Sequence, residues 1–162
     1  MKSPSTLLAS ALFSATIAAS ASIAEEPILD RTIVIASNEL KVLRPVDKTP
    51  YPDTLEKYPD LMAGGGYRLE PPNEDGEWYA RVYQWSPGVV YAYQGERVRL
   101  EFFGINGDLH PTEIPGYGLK FDVARGEITR VDFTADKAGL FDIVTPGRAP
   151  SMTAQLVVLP RP

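Results

Sequence analysis

The chain has 162 residues, with 16 basic and 21 acidic side chains, a formal net charge of −5, no cysteine and one histidine. Without a thiol it can build no disulfide frame, zinc–thiolate cluster, iron–sulfur site or cysteine nucleophile, and one imidazole makes no His-rich metal site. The acidic balance argues against nucleic acid as a partner, and an apolar content of 44% is too high for a disordered chain.

Residues 1–24 read as a secretory signal peptide. Lys2 gives a short basic start, Leu7 to Ala19 is an uncharged apolar run, and Ala19-Ser20-Ala21 and Ser22-Ile23-Ala24 are small-x-small cleavage sites. The run is too short to span a bilayer comfortably as a helix. No cysteine follows it to carry a lipid. Residues 25–162 are therefore expected to be a single exported domain, periplasmic or secreted, with no membrane insertion after cleavage.

Arg31 to Ser37 reads as a strand through Ile33, Val34 and Ile35. From residue 44 to residue 76 the composition turns to proline and glycine. Pro45, Pro50, Pro52, Pro59, Pro71 and Pro72 break helices and central strands, and Gly64-Gly65-Gly66 follows a stretch, Leu55 to Leu61, with room for one helical turn. The expectation is a long loop carrying Tyr51, Tyr58 and Tyr67, and long structureless loops are often functional.

Beyond it, strand signals come at short spacing. Glu77 to Trp85 sets Trp78, Ala80 and Val82 on one face and Tyr79, Tyr83 and Trp85 on the other. Val89 to Tyr93 is a short strand, and Gln94-Gly95-Glu96 a turn. Arg97 to Ile105 alternates, with Val98, Leu100 and Phe102 inward, and ends at the turn Asn106-Gly107-Asp108. Ile128 to Ala135, Gly139 to Thr145 and Thr153 to Leu159 continue the pattern, with Val131, Phe133, Phe141, Ile143, Leu156 and Val158 inward. No window has a sound helical period. The pattern predicts an all-β protein, an antiparallel Greek-key β-sandwich.

Residues 77–162 resemble the cupredoxin family, most of all the copper domains of cytochrome oxidase subunit II and nitrous oxide reductase. The resemblance lies in Tyr83-Gln84-Trp85-Ser86-Pro87, in Tyr91-x-x-Gln94-Gly95-Glu96-x-Val98-x-Leu100, in His110 followed by Ile114-Pro115-Gly116-Tyr117-Gly118, and in Gly139-Leu140-Phe141. It implies a cupredoxin-like sandwich with His110 where the family has its first copper ligand. The family's cysteine–histidine–methionine loop corresponds to Asp142 to Ser151, which holds neither Cys nor His; only Met152 stands near the methionine position. A type 1 or binuclear copper site needs thiolates and a second imidazole, so no cofactor is expected.

His110 and Met152 are the candidate metal ligands for a weak copper site, since imidazole and thioether suit Cu(I). The competing reading makes His110 a loop histidine bonded to a neighbour and Met152 a gap-filler at the core edge. A Ser–His–Asp triad using Ser86 or Ser151 lacks any nucleophile elbow. The glycine run has no following lysine to cradle phosphate. Tyr83 and Trp85 are more economically read as packing than as a ligand platform.

No enzyme is expected. The leading reading is an exported, non-enzymatic accessory module, linked by the resemblance to periplasmic copper or respiratory proteins. Its protein partner would dock on Asp108, Glu113, Tyr117, Tyr51, Tyr58 and Tyr67, with His110 on the docking face. The alternative is a copper carrier or chaperone using His110 and Met152.

Overall fold

A computed structural model of the chain describes residues 28–53 and 66–161. The signal peptide, Tyr58 and the turn at Leu55 to Leu61 lie outside the described residues. The strands are β1 (Arg31–Pro45), β2 (Tyr67–Glu70), β3 (Glu77–Ser86), β4 (Val89–Tyr93), β5 (Arg97–Phe103), β6 (Leu109–Ile114), β7 (Leu119–Ala124), β8 (Ile128–Thr134), β9 (Gly139–Val144) and β10 (Thr153–Leu159). They form two five-stranded sheets, in the orders β2-β3-β1-β5-β8 and β4-β10-β9-β6-β7.

The core follows from the period of two. Val98, Leu100 and Phe102 alternate inward from β5 and are fully buried, as is Ile35 from β1; Ile114, Val123, Ile143, Leu156 and Val158 answer them from the second sheet. Phe102 meets Trp85 edge-on at 5.3 Å and Phe121 at 4.8 Å. Tyr117 packs against Phe133 and Phe141 at 4.8 and 4.7 Å and plugs one end.

The expected antiparallel sandwich forms, with two parallel pairings within it, β1 with β5 and β4 with β10. Three expectations need correction. The first strand does not stop at Ser37. It continues to Pro45, because β3 supplies an unbroken antiparallel partner from Ser86 back to Glu77. The span 44–76 is not all loop: β2 lies inside it, paired with β3 from Tyr67↔Val82 to Glu70↔Tyr79. Beyond the core, β1, β3 and β2 thus form a three-stranded arm. Strands β6 and β7 lie where no strand is expected from sequence. Pro111 is a strong strand breaker in sequence, but here it sits within β6 opposite Asp122 of β7, and the pairing of β6 with β9 is at Glu113↔Val144.

Trp78 faces away from the core, as its alternation requires. Its indole Nε1–H donates to Thr49 O at 2.7 Å and its ring meets Tyr51 at 6.1 Å, which ties the start of the proline-rich span to the arm.

At the other end of β1, Arg31 forks onto Glu96, with Nε–Oε2 at 2.7 Å and Nη2–Oε1 at 2.9 Å, and Glu96 also accepts Tyr93 N–H at 2.8 Å. The Arg31 hydrogen bonds hold the Glu96 carboxyl down at about 2, against an ordinary 4.5. A depressed carboxyl contributes stability that is complete above its unfolded value and is lost as pH falls from about 4.5 towards about 2. Arg31 is 36% exposed, so after discounting for screening the contribution is of order 1–2 kcal/mol. Glu96→Gln is therefore expected to lower the thermal midpoint at pH 7, and the deficit should shrink as pH drops below 4. A deficit that does not change with pH would contradict this assignment.

Candidate functional site

The site grows from the turn after β5. Ser37, inward on β1 and fully buried, accepts Ile105 N–H at 2.9 Å and Asn106 N–H at 3.3 Å, and its hydroxyl lies 3.2 Å from Asn106 O. This fixes the carbonyl of Asn106, which stands 2.6 Å from His110 Nε2. A carbonyl only accepts, so Nε2 carries the proton and Nδ1 holds a lone pair. Gly107 lies against the ring edge, with φ +76°.

His110 is not a loop residue on a docking face: it points inward from β6 and its exposure is 0%. Tyr83 and Trp85 pack against the imidazole with ring centroids 5.7 and 5.8 Å away. Burial, as the main cause, lowers its pKa below the ordinary 6.5, so the ring is neutral near pH 7. A lowered imidazole contributes stability that is complete above the ordinary value and is lost as pH falls below it. Thr112 Oγ1 donates to His110 O at 2.8 Å and receives the Thr145 hydroxyl at 3.2 Å, which joins β6 to the loop before β10. Two buried nitrogens have no hydrogen-bond partner among the described residues: His110 Nδ1 and Trp85 Nε1.

Met152, the second candidate ligand, is fully buried in the core cluster, not at its edge. Its backbone is held by Arg148 O and Thr145 N–H. Among the described residues no group of three His, Cys, Asp or Glu side chains is gathered around one point that could hold a metal ion. The available soft donors are one imidazole nitrogen and one thioether, which is not the donor set of a trigonal thiolate copper site.

The predicted docking residues do not share one face. Asp108 is exposed beside the His110 turn, and Glu113 points outward from β6 towards Lys120 at 3.2 Å. Tyr117 follows the far end of β6 and donates its hydroxyl to Lys137 O at 2.9 Å, so it serves the plug. Tyr51 packs on Trp78, and Tyr67 is 38% exposed on β2. Sequence reasoning missed two features. One is Ser37, which looked like an ordinary strand end. The other is an apolar row on the outer face of the second sheet, where Tyr91 sits opposite Val157 and Val157 opposite Leu140. Tyr91 and Leu140 are 57% and 68% exposed, and Tyr93 opposite Leu159 extends the patch. The alternation of β4 carried the signal, since its small residues Val90 and Ala92 are inward and its tyrosines outward.

These features define a two-sheet β-sandwich around one sealed histidine. No family model and no curated protein matches the chain. Among solved structures it is similar to the periplasmic domain of subunit II of cytochrome oxidase (CoxB) of Bradyrhizobium japonicum, at 17% identity over 83% of this chain and 87% of that one, with a TM-score of 0.44. It is also similar to an apo copper binding protein, at 19% identity over 46% of this chain and 76% of that one, TM-score 0.41. Copper nitrite reductase from Nitrosomonas europaea is 16% identical over 81% of this chain and 41% of its own, TM-score 0.48. Among the described residues no helix is long and apolar enough to cross a membrane.

Proposed function

We propose that this chain is an exported, non-enzymatic accessory module that binds a protein partner among periplasmic copper or respiratory proteins. The apolar row Tyr91–Val157–Leu140 is the observation that carries the reading. Exposed apolar side chains in register on a regular sheet face mark protein contact surfaces. The partner is an exported protein with a complementary apolar patch. Affinity capture from periplasmic extract tests this with the wild-type chain and Leu140→Asp side by side. A partner held by the wild type and lost by a variant of unchanged thermal midpoint supports the reading. Equal capture by both removes the row from it.

A copper carrier using His110 and Met152 is the second reading. One observation favours it: Nδ1 of His110 is buried, deprotonated and, among the described residues, without a partner. Imidazole with thioether would suit Cu(I), which tolerates low coordination and soft donors. When bound, the metal would supply only a carried ion. The chain's own part would be to hold Nδ1 in place through the Asn106 carbonyl.

A further inference from the structure

The arm carries a second surface with the opposite character. Lys41 of β1 sits directly opposite Arg81 of β3, and Arg81 directly opposite Arg68 of β2. Three cations therefore lie in one row across three strands, an arrangement that costs stability because like charges face each other. The row lines an open groove of about 450 Å³ whose apolar floor is Tyr79 and Leu43. Two carboxylates share the lining: Glu70, which pairs with Arg68, and Glu77. Glu39 stands 3.7 Å from Arg81. Lys41 lies over the Tyr79 ring at 5.7 Å and, among the described residues, has no carboxylate partner.

The positive surface continues past the groove. Arg81 and Arg148 both lie over the Tyr83 ring, at 5.2 and 4.0 Å, and Arg148 likewise has no carboxylate partner among the described residues. Four cations are thus gathered on one side of a chain whose net charge is −5. The fold compensates them only in part: Arg68 and Arg81 have Glu70 and Glu39 within reach, whereas Lys41 and Arg148 have no carboxylate among the described residues, and an anionic ligand would complete the pairing.

We infer that the Lys41–Arg81–Arg68 groove receives an acidic segment of a partner protein. Guanidinium forks match side-chain carboxylates in pairs, Lys41 supplies a point charge, and Tyr79 with Leu43 accepts the methylene stems. This surface is separate from the Tyr91–Val157–Leu140 row, so the two readings fail independently.

The test is titration of the purified chain with a fluorescein-labelled hexaglutamate peptide at low ionic strength, followed by anisotropy. Saturable binding is expected, weakened about fivefold or more by Lys41→Gln or Arg68→Gln and reduced by added salt. Lys120→Gln, an exposed cation on the other sheet, and Leu140→Asp should leave it unchanged. No saturable binding, an equal loss in Lys120→Gln, or equal affinity for a hexalysine peptide would overturn the inference. Binding to phosphatidylglycerol vesicles that depends on Lys41 and exceeds binding to the peptide would also overturn it, assigning the groove to a lipid surface instead.

Discussion

Gly107→Ala is expected to cost about 2–4 kcal/mol of stability, among the largest effects of any single methyl group in this protein. Two causes add. The residue has φ +76°, which an L side chain rarely adopts, and a Cβ there would lie 2.5 Å from His110 Cε1 and 2.6 Å from Nε2. The ring has nowhere to retreat. Tyr83 and Trp85 pack against it, and Nε2 is held by Asn106 O. Gly126 isolates the first cause: its φ is +82°, but a Cβ there meets nothing within 4 Å. Gly126→Ala should therefore cost only the backbone part, about 1 kcal/mol. In a His110→Ala background the cost of Gly107→Ala should fall towards that of Gly126→Ala, because the collision is gone. Urea denaturation of the set measures this. An unchanged cost in the His110→Ala background would mean that the imidazole is not wedged where the structure puts it.

Trp85 gives the second large effect, and a contrast. Trp85→Ala should cost about 3–5 kcal/mol, because it removes a buried indole that bridges Phe102 and His110 and leaves a cavity between the sheets. Trp85→Phe should cost no more than about 1.5 kcal/mol, although it too loses buried area. The reason is Nε1, which has no hydrogen-bond partner among the described residues. A buried N–H without a partner is a standing penalty, and phenylalanine abolishes it while keeping an aromatic face against the imidazole. Denaturation of the two variants decides. Equal, large losses would show that the indole N–H makes a bond that matters.

The strand alternation was readable wherever one face is buried and the other wet. Val98, Leu100 and Phe102 fell inward as predicted, because a slip of one residue would expose all three. Legibility ended where pairing partners rather than side chains decide. The second half of β1 has no clean alternation, and it is a strand because β3 lies beside it. Pro111 concealed β6, since sequence cannot say that β7 pairs with the strand on both sides of it. At the site, the single histidine was visible by count alone. Its burial, its tautomer and the Ser37–Asn106 support were not, because they depend on a hydroxyl and a carbonyl brought together from 69 residues apart. The basic row on the arm was likewise invisible, since its three members become neighbours only through strand register.

We propose a β-sandwich whose work is protein contact rather than copper chemistry. Copper titration of the purified chain, as Cu(I) and as Cu(II), tests this most directly, with His110→Ala as the control. The predicted result is no stoichiometric binding that depends on His110 in either oxidation state, and no intense charge-transfer band with Cu(II). Saturable binding of one copper per chain that disappears in His110→Ala would contradict the account and put the carrier reading in its place.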